Sequence, residues 1–291
     1  MAWKPRDIPD QTGRTFVITG ANGGIGKHTT EALAGKGATV IMACRDTAKA
    51  QRVADGITGD VRVRALNLAD LASVRAFADA TGDIDVLINN AGLMNIPFSR
   101  TADGFETQWG VNHLGHFALT GLLLDRIGDR VVTLASIAHR QTPKLWIDDL
   151  NYEHRRYHRN LAYAQAKLSN LMFARELQHR LADARSPKRS YAVHPGVAAT
   201  DLFARTETPL DWVAKPVVAV FGHSPRHAAE SSLFAATTAG ADPDTYWGPT
   251  WLFGSRGPVR PASSSKLSRD RDLQRRLWEQ SERLTGVEYK F

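Results

Sequence analysis

The sequence contains one cysteine, Cys44, among 291 residues. That excludes an internal disulfide and a multi-cysteine zinc site, and it suits a reducing compartment. No apolar run approaches the roughly 18 residues that suggest a membrane-spanning helix. The first ten residues carry no apolar signal-peptide core. Acidic excess is also missing: 37 Lys and Arg face 30 Asp and Glu, a formal charge of +7. These cations are scattered, and no RNP, KH or zinc-finger pattern accompanies them, so no nucleic-acid partner is expected. A solvated basic surface and a polyphosphate ligand both stay open. His113 and His116 stand three apart, and His154/His158 and His223/His227 four apart. Without HExxH or an acidic set beside them, no metal is expected.

What is present is enough apolar material for a full core: 43% hydrophobic residues against 23% charged. A soluble, cytoplasmic chain with one domain over residues 1–291 is expected. Short β-branched runs alternate with helical patterns. Strands are predicted at 14–19, 38–43, 61–66, 84–88, 130–135 and 189–193, with a seventh at 250–253. Helices are predicted from the end of the Gly20–Gly26 turn to about 34 and at 47–57, 71–80, 104–127, 161–181 and 266–285, with an N-terminal arm over 1–13 and loops over 137–158 and 255–265. This alternation gives an α/β fold, a doubly wound parallel sheet of about seven strands with helices on both faces. The C-terminal helix could cover a substrate entrance, pack on the body or form an interface between copies.

The first strand runs into Gly20-Ala21-Asn22-Gly23-Gly24-Ile25-Gly26. Glycines at a strand–helix junction let backbone N–H groups approach a pyrophosphate at a helix N-terminus. The second strand ends in Cys44-Arg45-Asp46. An acidic residue at that place in a dinucleotide fold would accept the ribose 2′-hydroxyl, whereas a guanidinium suits a 2′-phosphate. Arg45 therefore favours NADP over NAD, with Asp46 either pairing with it or facing solvent. The fourth strand ends in Asn89-Asn90-Ala91-Gly92, where structural and ligand-contact roles are equally open for each Asn. Asn112 falls inside a long helix, where Asn often marks a kink, a water site or a polar contact. His194-Pro195-Gly196 forms a sharp turn after the sixth strand.

Tyr163 and Lys167 lie four apart, on one helical face, with Cβ atoms about 5–6 Å apart. A phenol beside a fixed ammonium can serve as an acid/base, although bringing it from about 10 to neutrality takes on the order of 4 kcal/mol. Ser136 caps the fifth strand and could steady a carbonyl oxygen. Taken alone, the Tyr–Lys pair fits an amphipathic helix with an exposed lysine; the other motifs decide the matter.

In chain order, TGANGGIG, NNAG, Asn112, Ser136, YAQAK and HPGVAAT resemble the short-chain dehydrogenase/reductase family over about residues 13–285. The stretches IMACRD, DGFETQWGVNHLGHFALT, SIAH and RLWEQSERLTGV resemble its retinol dehydrogenase and protochlorophyllide reductase-like branch. The resemblance implies a Rossmann fold with Tyr163 as acid/base, Ser136 orienting the substrate oxygen, Lys167 on the nicotinamide ribose and lowering the Tyr163 pKa, and Asn112 holding a relay water. It puts Gly20, Asn22, Gly23, Gly24, Ile25 and Gly26 on the phosphates and Arg45 on the 2′-phosphate. Asn67, Leu68, Asn89, Ala91 and Gly92 would line the adenosine side. Pro195, Gly196, Val197 and Thr200 would flank the nicotinamide. Asn67 stands where the family usually has an acidic residue, and the hydrophobic anchor of membrane-bound relatives is missing.

Residues 201–226 occupy the place of a substrate lid, with Leu202, Phe203, Leu210, Trp212, Val213, Val217 and Phe221 offering apolar surface. A helix pair packed on the body explains them equally well. The main expectation is reversible hydride transfer between NADP(H) and an apolar aldehyde, ketone or alcohol. A nucleotide-binding sensor or scaffold without turnover, and a light-dependent double-bond reductase, are the alternatives; homo-oligomerisation is open.

Overall fold

The computed structural model describes residues 3–197 and 224–291. Its strands are β1 (Thr15–Thr19), β2 (Thr39–Cys44), β3 (Asp60–Ala65), β4 (Ile84–Asn89), β5 (Ile127–Leu134), β6 (Arg189–Val193), β7 (Trp247–Trp251) and β8 (Arg256–Pro261). They form one sheet in the order β3-β2-β1-β4-β5-β6-β7-β8. Pairing is parallel from β3 through β7, and β8 runs antiparallel to β7. Phe16 on β1 stands opposite Val40 on β2 and Val86 on β4. From β1 the chain winds outward one way through β2 and β3, then returns to the other side of β1 as β4. This reversal opens a crevice at the carboxyl ends of β1 and β4, where such sheets bind ligands.

The helices are α1 (Gly24–Ala34), α2 (Thr47–Ala54), α3 (Leu71–Asp79), α4 (residues 107–123), α5 (Arg159–Asp183), α6 (Pro225–Ala228), α7 (Glu230–Thr237) and α8 (Arg271–Thr285). The period of two along each strand sorts the core. Phe16, Ile18, Val40, Met42 and Val132 pack with Leu33 of α1 and Leu233 of α7 on one face. Val17, Ile41, Leu87 and Val131 pack with Phe77, Phe117, Phe173 and Trp278 on the other. The expected doubly wound sheet is therefore present, with eight strands rather than seven.

The extra strand lies where a loop was expected. Gly257, Pro258 and Pro261 read as breakers, but β8 pairs only with β7, and proline on a free edge gives up no ladder bond. The expected helix over 104–127 is shorter, and Leu124–Arg126 tightens into a 3-10 turn before β5. The loop over 137–158 contains two 3-10 turns, Ile137–Gln141 and Ile147–Asp149. In the N-terminal arm, Ile8 is buried and Trp3 meets Phe234 edge-on at 5.7 Å. Among the described residues no helix is long and apolar enough to cross a membrane.

The C-terminal helix packs on the body. Asp270 caps α8 by accepting the Leu273 N–H at 3.0 Å, which starts the helix later than its apolar pattern suggested. Gly286, with φ 61°, ends it in the left-handed region. Trp278 is inserted among Phe117, Phe173 and Tyr289, with ring centroids 5.1, 5.8 and 4.4 Å away. Its removal would leave a cavity between α4, α5 and α8. Trp278→Ala is expected to cost about 3–5 kcal/mol of unfolding free energy in a urea titration. A loss under about 1 kcal/mol would mean that α8 is an appendage rather than part of the core.

Candidate active site

The glycine turn and the loop after β4 are tied together across the crevice. The Thr19 hydroxyl accepts the Asn90 and Ala91 N–H groups, each at 2.9 Å, while Asn90 Nδ2 donates to the Thr19 carbonyl at 2.7 Å. With its lone pairs engaged, the Thr19 O–H donates to His116 Nε2 at 2.8 Å, and His116 Nδ1–H donates to the Asn112 carbonyl at 2.9 Å. Gly20 has φ +65°, and a Cβ there would lie 2.9 Å from Ala91 Cβ. A Cβ on Gly26 would lie 2.6 Å from the Gly20 carbonyl. The first turn of α1 has no side-chain cap, whereas Asp46 caps α2 and Asp70 caps α3. Uncapped N–H groups at the crevice suit an anion such as a pyrophosphate.

The cleft holds about 360 Å³. It is lined by Gly20, Asn22, Gly23, Gly24, Ile25, Gly26, Arg45, Asn67, Leu68, Ala91, Gly92, Tyr163, Lys167 and Pro195. Asp46 Oδ1 accepts the Lys49 N–H at 2.8 Å, so that carboxylate is engaged as a helix cap. Arg45 is exposed, and among the described residues its side chain has no hydrogen-bond or ion-pair partner. Cys44 is buried, and burial pushes its thiol pKa up. Asn67 Oδ1 accepts the Ala69 N–H at 3.2 Å.

Helix α4 contains a π turn, Gly110–Leu114, in which the Gly115 N–H donates to the Gly110 carbonyl. Such turns recur at functional sites because they shift side chains out of helical register. Here the turn carries Asn112. Its amide clamps the loop after β4: Oδ1 accepts the Leu93 N–H at 2.8 Å and Nδ2 donates to the Leu93 carbonyl at 2.9 Å. A Cβ on Gly92 would lie 3.1 Å from Asn112 Oδ1 and 3.6 Å from Lys167 Nζ, so glycine allows this close approach.

Ser136, at the end of β5, meets the first turns of α5. Lys167 Nζ donates to the Leu134 carbonyl at 2.9 Å and lies 5.9 Å from the centroid of the Tyr163 ring. Both side chains are buried. Burial pushes the Tyr163 phenol up to about 12, and its hydrogen bond with Ser136 only partly offsets that. Burial pulls Lys167 down to about 8. Desolvation thus dominates the Tyr163 phenol, in the direction opposite to the lowering expected from Lys167. Behind Ser136, His139 Nδ1–H donates to the Ser136 carbonyl at 2.6 Å and its Nε2 accepts the Ser265 N–H at 3.2 Å. Burial holds this ring near pKa 4, neutral at ordinary pH.

Several expected residues are placed elsewhere. Asn89 lies within the sheet, donating to the Thr120 and Thr133 hydroxyls at 3.0 and 3.4 Å; Asn90, one residue on, lines the cleft instead. Gly196 and Val197 face the β7–β8 hairpin: a Gly196 Cβ would meet the Ser255 carbonyl, which accepts the Val197 N–H at 3.0 Å. Thr200 lies outside the described residues. So does the expected lid up to residue 223, with Leu202, Phe203, Leu210, Trp212, Val213, Val217 and Phe221. Sequence reasoning missed Lys49, Leu93, Met94 and Leu134 in the cleft wall. Of these, Lys49 carried a signal, a cation one turn beyond Arg45. His113 is a core residue, stacked on Trp109 and 2.9 Å from the Ser281 hydroxyl. Among the described residues no three His, Cys, Asp or Glu side chains meet in a metal cluster.

The short chain dehydrogenase family pattern matches residues 14–148. Human retinol dehydrogenase 13 is 40% identical over 294 residues, which cover 95% of this chain and 86% of that one. A Mycobacterium paratuberculosis protein of solved structure superposes with a TM-score of 0.87 at 45% identity, covering 100% of both chains. The 3-ketoacyl-(acyl-carrier-protein) reductase of Brucella melitensis, solved with NADH, superposes with a TM-score of 0.60 at 25% identity, covering 78% of this chain and 92% of that one. The glycine crevice and likeness to these relatives over nearly the whole chain lead to one conclusion: the protein belongs to the short-chain dehydrogenase/reductase family, in its retinol dehydrogenase-like branch, and is an NAD(P)-dependent oxidoreductase.

Proposed function

We propose that the protein moves a hydride reversibly between NADP(H) and an apolar aldehyde, ketone or alcohol. The observation that carries this reading is the buried pair Tyr163 and Lys167 in the wall of the crevice that Arg45 also lines, with the half-buried Ser136 hydrogen-bonded to Tyr163. The nicotinamide supplies or accepts the hydride when bound. The chain's own residues handle the oxygen and its proton. Ser136 steadies the carbonyl oxygen through its hydroxyl. Tyr163, held protonated by burial, donates its phenolic proton to that oxygen in the reducing direction. Lys167, anchored on the Leu134 carbonyl, keeps a positive charge near the ring and stabilises the phenolate left behind. Asn112 keeps the loop carrying Leu93 and Met94 in register, and Pro195 closes the wall beside Lys167.

Arg45 supports NADP over NAD. Among the described residues no carboxylate pairs with its guanidinium, and the neighbouring carboxylate of Asp46 is already a helix cap. Asn67 and Leu68 would border the adenine. An apolar substrate is supported by Met94 and Ala138, which pack with Tyr163 in a small apolar cluster. Retinol, named in the human relative, is itself an apolar alcohol. A cytoplasmic location goes with the single buried thiol of Cys44.

Three measurements test this reading. Tyr163→Phe is expected to lower NADPH-coupled turnover of an apolar aldehyde by at least about 100-fold while leaving NADPH affinity near wild type; unchanged turnover would remove Tyr163 from the mechanism. Arg45→Ala is expected to raise the KM for NADPH by about tenfold and leave that for NADH nearly unchanged; equal effects on both cofactors would refute the 2′-phosphate contact. The third concerns pH. Burial lowers Lys167 to about 8, so its ammonium is present below that pH and lost above it. Carbonyl reduction should therefore fall as pH rises through about 8. In Lys167→Arg, whose guanidinium keeps its charge, the residual rate should show no such break.

A further inference from the structure

A second cleft, of about 400 Å³, opens on the far side of Tyr246, between the C-terminal half of α5, the base of the β7–β8 hairpin and the start of α8. Arg175, Arg269 and Arg271 line it. Among the described residues none of the three has a carboxylate within ion-pair distance. Asp244 is the carboxylate in the same wall, so the lining keeps an excess of positive charge. Arg175 and Arg269 converge on one hydroxyl: Arg175 Nη2 donates to Ser264 Oγ at 3.0 Å and Arg269 Nε donates to it at 3.2 Å. A serine oxygen has two lone pairs, and both are engaged here. Its proton is left as a donor, and Ser264 gives it to no other described residue. Gln274 is buried in the same wall; its Nε2 donates to the Ser268 carbonyl at 2.8 Å, while its Oε1 has no partner.

Like charges held together with one carboxylate between them are costly: burial first, then Arg269, lowers the Arg175 pKa, and Tyr246 and Asp244 offset this only in part. Arg175 also donates to the Ser268 carbonyl and hydroxyl and Arg269 to the Ser264 carbonyl, which fixes both guanidinium groups in the wall. An oxyanion would relieve the excess charge and take up the Ser264 O–H and the Arg271 N–H groups. Guanidinium groups suit phosphate and carboxylate through paired N–H groups, and the Ser264 hydroxyl adds a third donor. A hydrogen phosphate would also bring an O–H for the orphaned Gln274 acceptor.

We propose that this cleft is a binding site for a small oxyanion, separate from the dinucleotide crevice. The site shares a segment with the catalytic wall. The residue after Ser264 is Ser265, whose N–H holds His139, which in turn holds the Ser136 carbonyl.

The test is a thermal-shift titration of the full chain with inorganic phosphate and, separately, with acetate, each balanced with chloride to constant ionic strength. Wild type is expected to gain Tm with at least one of the two, and the choice separates a phosphate site from a carboxylate site. In Arg269→Gln/Arg271→Gln the apparent affinity should fall by at least about tenfold. In Arg45→Gln, altered in the dinucleotide crevice, the response should persist. No response in wild type, an undiminished response in the double variant, or a response lost only in Arg45→Gln would each overturn the proposal. Should the double variant fold poorly, Arg271→Gln, whose side chain makes no hydrogen bond among the described residues, must still weaken the response; an unchanged response there would count equally against the site.

Discussion

The site depends on one buried charge. Lys167 sits almost wholly out of water, with its ammonium on the Leu134 carbonyl at 2.9 Å. That contact fixes the head group at the carboxyl end of β5, between Ser136 and the loop after β4. A buried ammonium is expensive, and its pKa falls to about 8 in consequence. The same dry surroundings keep Tyr163 protonated. Together they give a proton donor beside a cation whose charge is poorly screened, which is where electrostatic stabilisation of a phenolate is most effective.

Holding those groups in place requires three segments to meet at the crevice. Thr19 does this with one hydroxyl: it accepts from Asn90 and Ala91 and donates to His116. His116 passes the constraint to the carbonyl of Asn112 inside the π turn, and the Asn112 amide returns it to Leu93. Each link is buried or nearly so, and burial holds His116 neutral, near pKa 4, as the chain of bonds requires. Polar networks of this kind specify a single arrangement because an unmade bond in such surroundings is costly. The glycines do the complementary work, since at Gly20, Gly26 and Gly92 any side chain would collide with a neighbour or crowd the Asn112–Lys167 contact.

Much of this was readable from residue order. Strands β1, β2, β4, β5 and β6 contain apolar or β-branched runs, and after their carboxyl ends come the glycine turn, Arg45, Asn90-Ala91-Gly92, Ser136 and Pro195; the outer strand β3 alternates valine with charged residues. Parallel topology then brings those ends to one edge. Less readable were features set by partners distant in sequence. Strand β8 looks like a loop because its prolines are acceptable only on a free edge, and only the finished sheet has edges. Asn89 and Asn90 are indistinguishable as letters, but strand register turns one into the sheet and the other into the cleft. The π turn at Asn112 has no composition of its own; it is stabilised by His116 and Leu93.

The sequence by itself therefore determined the α/β alternation, the amphipathic face of α8, and the order in which the crevice residues arrive along the chain, because these depend on local periodicity and on which residue ends each strand. Tertiary structure alone decided the docking of α8 through Trp278, the commitment of Asp46 to a helix cap rather than to Arg45, and the proton affinities of Tyr163 and Lys167. Those outcomes depend on what surrounds a side chain and how much water is left around it. Desolvation is a property of the assembled core, so no pattern of neighbours along the chain could have revealed that it would dominate the Tyr163 phenol.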